Sequence, residues 1–276
     1  MKWTGLPDGD IAQVNGMGWV RVICKGLPLG SFILVCLALL LLIRLVERPI
    51  FGLHRPVTPY ITQGVCRVGL WWIGIRYSVI GTPMKERGAV VANHASWLDI
   101  FALNTSQRVY FVSKAEVSNW PFIGWLARAT GTMFIKRERA DAVNQRQRME
   151  KRLLAGHRLL FFPEGSSSDG LRILPFKSTL FAAFFTSKIY EECYVQPATV
   201  NYHAPTGEAA QFYGWWGDME FGPHLLQTLA ARHQGRVEVV FHSPLKLSDF
   251  PDRKALARAA EDAVKAGLTV TGLSAT

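Results

Sequence analysis

The chain has 276 residues, 49% hydrophobic, 12% aromatic and only 19% charged, with 31 basic against 21 acidic side chains for a net charge of +10. That length can bury a real core, and a chain this apolar and basic points first to an anionic lipid surface. Nucleic acid is set aside as a partner, because there is no zinc-finger spacing, basic-region helix or RNA-binding aromatic signature.

Residues 1–20 are mixed and glycine-containing, and read as a loose leader without a signal-peptide cleavage pattern. The run from Leu27 to Ile43 is uncharged, with Lys25 before it and Arg44 after it. A spanning helix needs about 20 residues, so the run fits either a single span or a helix that enters one leaflet and returns as part of a membrane-seated pair. Basic residues at both ends leave its direction open. We expect this apolar helix over about 27–46. Pro49, Pro56 and Pro59 then mark a linker, and a second helix over about 60–73 places Trp71 and Trp72 near Arg67 and Arg76, as at a headgroup-level interface. Residues 1–75 therefore read as a membrane-anchoring segment and 76–276 as a catalytic domain. The cysteines Cys24, Cys36, Cys66 and Cys193 show no paired spacing, which fits a reducing compartment.

From Ile75 the texture changes. Strands are expected at Ile75–Ile80, Gly88–Asn93, Val109–Ser113, Thr132–Ile135, His157–Phe162, Tyr194–Asn201 and Val237–Phe241. Between them fall helices over about Trp97–Thr105, Lys114–Ala129, Ala140–Ala155, Thr179–Tyr190, Phe221–Arg232 and Asp252–Ala266. This alternation predicts an α/β fold, a mostly parallel mixed sheet flanked by helices. In such sheets, sites form at the carboxyl ends of strands.

Two stretches of similar build end in chemistry. Val90-Val91-Ala92-Asn93 runs into His94 and, five residues on, Asp99; Leu159-Leu160-Phe161-Phe162 runs into Pro163-Glu164-Gly165 and three serines. On a continuous helix a five-residue step would hold His94 and Asp99 about 140° apart. They meet only if His94 lies in the turn before the helix and Asp99 in its first turn, an arrangement in which Ser96 suits the N-cap. A His–Asp dyad of that kind makes a general base. The same Ser96-Trp97-Leu98-Asp99 run also fits a capping box with no catalytic role. Gly165-Ser166-Ser167-Ser168-Asp169 lacks the second glycine of a nucleophile elbow, and Leu171 stands where a phosphate-binding P-loop needs lysine. No metal-ligand spacing occurs. The expectation left is direct transfer from an activated acyl donor to a bound hydroxyl, with no covalent enzyme intermediate and no cofactor.

Asn93-His94-x4-Asp99, Phe134-Ile135-Lys136-Arg137, Phe162-Pro163-Glu164-Gly165 and Val195-Gln196-Pro197-Ala198, in that order, resemble the four blocks of the glycerolipid acyltransferase family. The resemblance implies His94 as base, Asp99 as its partner, and Arg137, Glu164 and Gly165 in acceptor binding. It also implies an N-terminal helix pair in the membrane and a donor that is an acyl carrier protein or coenzyme A thioester. One departure stands out. Members that use a phosphate acceptor usually follow Glu-Gly with Thr-Arg-Ser, whereas here Ser166-Ser167-Ser168-Asp169-Gly170 removes the cation and adds a carboxylate. Together with Leu174-Pro175-Phe176-Lys177-Ser178 and Trp216-Gly217-Asp218-Met219, that run resembles the bacterial lyso-ornithine lipid branch, whose acceptor is the hydroxyl of an amide-linked 3-hydroxy fatty acyl chain. Ser166, Ser167, Asp169 and Lys177 join the expected substrate-binding set on that basis, and Asp169 fits equally as the cap of a loop or turn. Arg137, Arg172 and Lys177 keep lysophosphatidate open as an acceptor. The basic face at Arg146, Arg148, Lys151 and Arg152 reads as a solvated face or as a dock for an acidic carrier or anionic lipid. The expected location is the inner membrane, with the catalytic part on the cytoplasmic side. A noncatalytic lipid-binding module and a hydrolase are the rival readings.

Overall fold

The computed structural model describes residues 3, 11, 13–135, 142–185 and 190–269. The strands are β1 (Arg76–Ile80), β2 (Gly88–Ala92), β3 (Tyr110–Lys114), β4 (Met133–Ile135), β5 (Leu159–Phe161), β6 (Tyr194–His203), β7 (Arg236–Phe241) and β8 (Leu245–Lys246). They form one sheet in the order β1-β7-β6-β2-β5-β3-β4, with β8 also paired to β6. The pairs β6–β2, β2–β5, β5–β3 and β3–β4 are parallel, while β7 runs antiparallel to β6 and carries β1 with it.

The central strands are apolar on both faces, as burial between two helical layers requires. Period-2 alternation sends Val90, Ala92, Leu160, Ala198, Val200 and Tyr202 to one side, and Ala89, Val91, Leu159, Phe161 and Val195 to the other. The first side is covered by α1 (Gly16–Phe51), α2 (Thr58–Ile73), α3 (Asp99–Ser106) and α6 (Phe221–Ala230). The second is covered by α5 (Ala142–Leu154) and α7 (Arg253–Ala266). The remaining helix, α4 (Ile123–Thr130), lies between β3 and β4.

α1 begins eleven residues before the expected apolar run, at Gly16, where the Asn15 side chain caps Gly18 N at 2.7 Å, and it continues through Pro28. A proline inside a helix costs about 3 kcal/mol, and here tertiary contacts offset it. Arg21 Nε donates to Ala230 O at 2.5 Å, and Lys25 Nζ donates to Ile73 O at 3.1 Å and Ala231 O at 3.4 Å. These carbonyls end α6 and α2, so two cations of α1 cap two other helices. Val22 and Leu29 of α1 lie in the same buried cluster as Leu70, Ile73 and the strand residues. Outward, α1 exposes Leu34, Val35, Leu39, Leu42, Leu45 and Val46. Among the described residues it is the one helix long and apolar enough to cross a membrane.

Two expected helices differ. Lys114–Ala129 is a 3-10 turn, Ala115–Asn119, then a break at Trp120-Pro121-Phe122 before α4. Pro121 interrupts the register and Phe122 takes a left-handed φ of 57°. The apolar stretch Thr179–Tyr190 gives only a 3-10 turn, Ser178–Phe181, and further turns to Phe185; residues 186–189 lie outside the described residues. Its phenylalanines are spent on packing, with Phe181 edge-on to Phe161 at 5.4 Å and Phe184 stacked on it at 5.9 Å.

The start of α2 hangs on one buried carboxylate. Glu47 accepts from Val57 N at 2.7 Å, Thr58 N at 3.1 Å and Thr58 Oγ1 at 2.7 Å, and from Arg44 at 3.3 Å. Glu47→Ala should cost about 3 kcal/mol and lower the unfolding midpoint of the detergent-solubilised protein by several degrees. Thermal unfolding of the variant beside wild type checks it.

Candidate active site

β2 and β5 run side by side in parallel with Val91 opposite Phe161. His94 and Glu164 each lie three residues beyond that pair, so both strands deliver them to the same rim at the same height. The Glu164 carboxylate accepts the His94 backbone N–H at 2.9 Å and the Leu174 N–H at 3.0 Å. Ser168 N in turn donates to His94 O at 2.8 Å. Both backbone polar groups of His94 are therefore tied to the loop that follows β5. Gly165, at φ 73°, makes the turn that allows it.

The His94 imidazole lies in the turn before α3, and its Nδ1 is 2.7 Å from Asp99 Oδ2. Asp99 is fully buried, and the same oxygen accepts Ala95 N at 2.9 Å and Ser96 N at 3.1 Å. Asp99 Oδ1 accepts the hydroxyl of Tyr202 at 2.9 Å. With Nδ1 donating to Asp99 Oδ2, Nε2 is the ring nitrogen turned away from Asp99. Phe162 stacks on the imidazole at 4.0 Å with planes 9° apart, which fixes the ring face. Ser96 contributes backbone rather than a hydroxyl cap: its Oγ is buried without a hydrogen bond among the described residues, and the Asp99 carboxylate reaches back to cap instead.

The other expected residues fall as follows. Glu164 is buried, with both carboxylate oxygens engaged inside the protein. Ser166 Oγ accepts Trp3 N at 2.9 Å, and Ser167 is half-buried beside it. Asp169 does not offer an unpartnered carboxylate to the cleft. It is turned inward, accepts Leu171 N at 3.1 Å and pairs with Arg172 at 3.0 Å. Arg172 lies over the Trp3 ring at 5.3 Å. Lys177 is exposed, with its backbone N–H on Pro163 O at 2.9 Å. Arg137 lies outside the described residues.

Sequence reasoning missed Tyr202, because the strand was expected to stop at Asn201. Two more residues of β6 bring Tyr202 onto the face shared by Ala198 and Val200, level with Asp99. Phe162 was in view as an apolar residue, and its stacking role followed only from the loop's path. Of the histidines left without a role, His224 accepts from Trp97 Nε1 at 2.9 Å and is pushed down to about 4 by burial, and His242 contacts Thr199 Oγ1 at 2.8 Å.

An α/β sheet with a histidine–carboxylate pair at its carboxyl rim, beside a polar loop, fits an acyl-transfer enzyme of the kind the sequence blocks resemble. The family model described as Acyltransferase matches residues 77–201. The lyso-ornithine lipid O-acyltransferase of Rhodobacter capsulatus is 56% identical over 248 residues, 90% of each chain. That of Brucella abortus is 40% identical over 189 residues, 64% of this chain and 69% of that protein. The crystal structure of the 1-acyl-sn-glycerophosphate acyltransferase PlsC from Thermotoga maritima superposes with a TM-score of 0.62, covering 91% of this chain and 95% of that one at 20% identity, and so shares the fold. The chain belongs to this acyltransferase family. Its membership and its long apolar helix make it a membrane-associated enzyme.

Burial, and then the nearby Asp99 and Glu261 carboxylates, push Glu164 up from 4.5 to about 8, against the backbone donors of His94 and Leu174. A carboxyl raised on folding binds its proton more tightly in the native state, so its contribution to stability is present below the unfolded value and is lost as pH rises through the folded one. Stability should decline between pH 4.5 and about 8 for this reason. Glu164→Gln should flatten that slope relative to wild type, as measured by denaturant unfolding across the window.

Proposed function

We propose that the chain transfers a fatty acyl group from a thioester donor to the free hydroxyl of a lyso-ornithine lipid, making ornithine lipid. The observation that carries this reading is 56% identity, over nine-tenths of both chains, to a protein of that activity. The loop after Glu164 supports it. The buried Asp169 neutralises Arg172 there, and a near-neutral ion pair suits a zwitterionic headgroup better than a phosphate does.

In the proposed reaction the acceptor hydroxyl gives its proton to His94 Nε2 as its oxygen attacks the thioester carbonyl. Asp99 stabilises the imidazolium that forms, and Tyr202 holds Asp99 in place. The tetrahedral oxyanion collapses, the carbon–sulfur bond breaks, and the leaving thiolate takes the proton from His94. The Ser166 and Ser167 amides donate to no group among the described residues and are the oxyanion donors we favour. Glu164 acts as a positioning residue that fastens the base to its loop. Gly165, Ser166, Ser167, Arg172 and Lys177 line the acceptor side, with Arg137 assigned there by resemblance. Residues 1–75 serve as the membrane-anchoring part and 76–276 as the catalytic part. The donor is an acyl carrier protein or coenzyme A thioester, and the protein works from the cytoplasmic side of the inner membrane.

His94→Ala should lower kcat by about 10²–10⁴ while the protein stays folded and membrane-bound; near-normal turnover would remove the mechanism. With lyso-ornithine lipid and 1-acyl-glycerol-3-phosphate competing in one assay, the ornithine lipid should be the main diacylated product. Preferential formation of phosphatidate would overturn the acceptor assignment.

A further inference from the structure

A second feature lies away from His94, where the C-terminal half of α1 meets α4. Leu37, Leu41, Arg44 and Arg48 stand at i, i+4, i+7 and i+11 and so form one stripe on α1. On α4, Trp125 and Arg128 stand at i and i+3 on a shared face. Together with Leu53, Arg55 and Ala129 these side chains line a groove of about 520 Å³. Along α1 its lining passes from Leu37 and Leu41 to Arg44 and Arg48, and four guanidinium groups line it in all.

The groove holds more positive charge than its own surroundings balance. Arg55 donates to Ala129 O at 2.8 Å, and its Nε has no hydrogen bond among the described residues. Arg152 lies close by, donates to Gly131 O and leaves its Nε unpaired too. Burial and then the charge of Arg44 hold the Arg55 guanidinium below its usual range, and Arg152 is lowered to about 10 by burial and then by Arg55. The one carboxylate acting on Arg55 among the described residues is Glu47, which already serves Val57, Thr58 and Arg44. The Arg48 side chain is exposed and makes no hydrogen bond among the described residues, and Arg128 is exposed with one N–H on Ser118 O at 2.6 Å.

We infer that this groove is a seat for one anionic phospholipid, its phosphodiester held among Arg44, Arg48, Arg55 and Arg128 and an acyl chain laid along Leu37, Leu41 and Trp125. The spacing fits such a molecule, since Leu41 and Arg44 are about 4.5 Å apart along the helix axis. Hydrocarbon therefore gives way to charge within one turn. Trp125 is 65% exposed and Phe122, 6.3 Å from it, is 71% exposed, as aromatics at headgroup level are. The site is separate from acyl transfer and does not depend on which lysolipid is acylated.

The test uses the full chain purified in neutral detergent, with bound lipid read by native mass spectrometry and with sedimentation on phosphatidylcholine vesicles made with or without phosphatidylglycerol. Wild type should retain phosphatidylglycerol in preference to phosphatidylcholine. Arg48→Gln, which loses no internal hydrogen bond, should weaken that retention about fivefold, the equivalent of about 1 kcal/mol per charge. Arg48→Glu with Arg128→Glu should abolish the preference while leaving turnover in detergent unchanged. Arg146→Glu with Lys151→Glu on α5 removes as much charge outside the groove and should leave retention near wild type. Equal retention of the two lipids would overturn the assignment. So would an equal loss from the α5 pair, which would mean diffuse attraction, or full displacement by inorganic phosphate, which would mean a free-anion site.

Discussion

The working geometry depends on a single backbone hydrogen bond across two strands, from His94 N–H to the carboxylate of Glu164. Parallel pairing sets the two residues level, and the carboxylate then fixes the turn that carries the imidazole. The arrangement is electrostatically tense. Two carboxylates, Glu164 and Asp99, serve one histidine from opposite sides, one through the main chain and one through the ring. Burial, and then the nearby Asp99 and Glu261 carboxylates, push Glu164 up to about 8 against its two backbone donors. Asp99 is the one surrounded by donors, with three on one oxygen and Tyr202 on the other.

Around that centre the loop from Gly165 to Gly170 does two jobs. Its backbone closes on His94 through Ser168, and its side chains form a self-contained polar surface. The ion pair of Asp169 and Arg172 is an internal brace as well as a surface, since the Asp169 oxygens also hold Leu171 N. The approach of Gly214 confirms how tight this corner is, because a Cβ there would stand 2.6 Å from Asp169 O. A substitution at Asp169 therefore changes the shape of the cleft together with its charge.

Much of this was legible in the sequence. Alternating strand and helix patterns located the sheet, since fully apolar runs such as Gly88–Ala92 have few other places to go. The His94–Asp99 spacing was readable because only one local geometry lets the two side chains meet. What the sequence hid were effects that arise only on packing. The carboxylate of Glu164 looked like a substrate ligand, and nothing local indicates that its partner is a main-chain amide from another strand. Asp169 could be read either as a headgroup contact or as the cap of a loop, and only the folded loop, with Leu171 N and Arg172 both on its carboxylate, shows the second arrangement. The apolar stretch after Lys177 had the composition of a helix, and the packing of Phe181 and Phe184 against Phe161 overrode that preference.

The capping of α2 and α6 by Arg21 and Lys25 has a consequence for how such a chain can be handled and how it can evolve. The first long helix is not a detachable tether. Removing it would uncover Val22's and Leu29's neighbours in the core and strip two helix ends of their cations. A soluble version made by cutting away the leading residues should therefore lose cooperative folding along with its attachment, and lineages of this protein could not trade one anchor for another without rebuilding the layer beneath it.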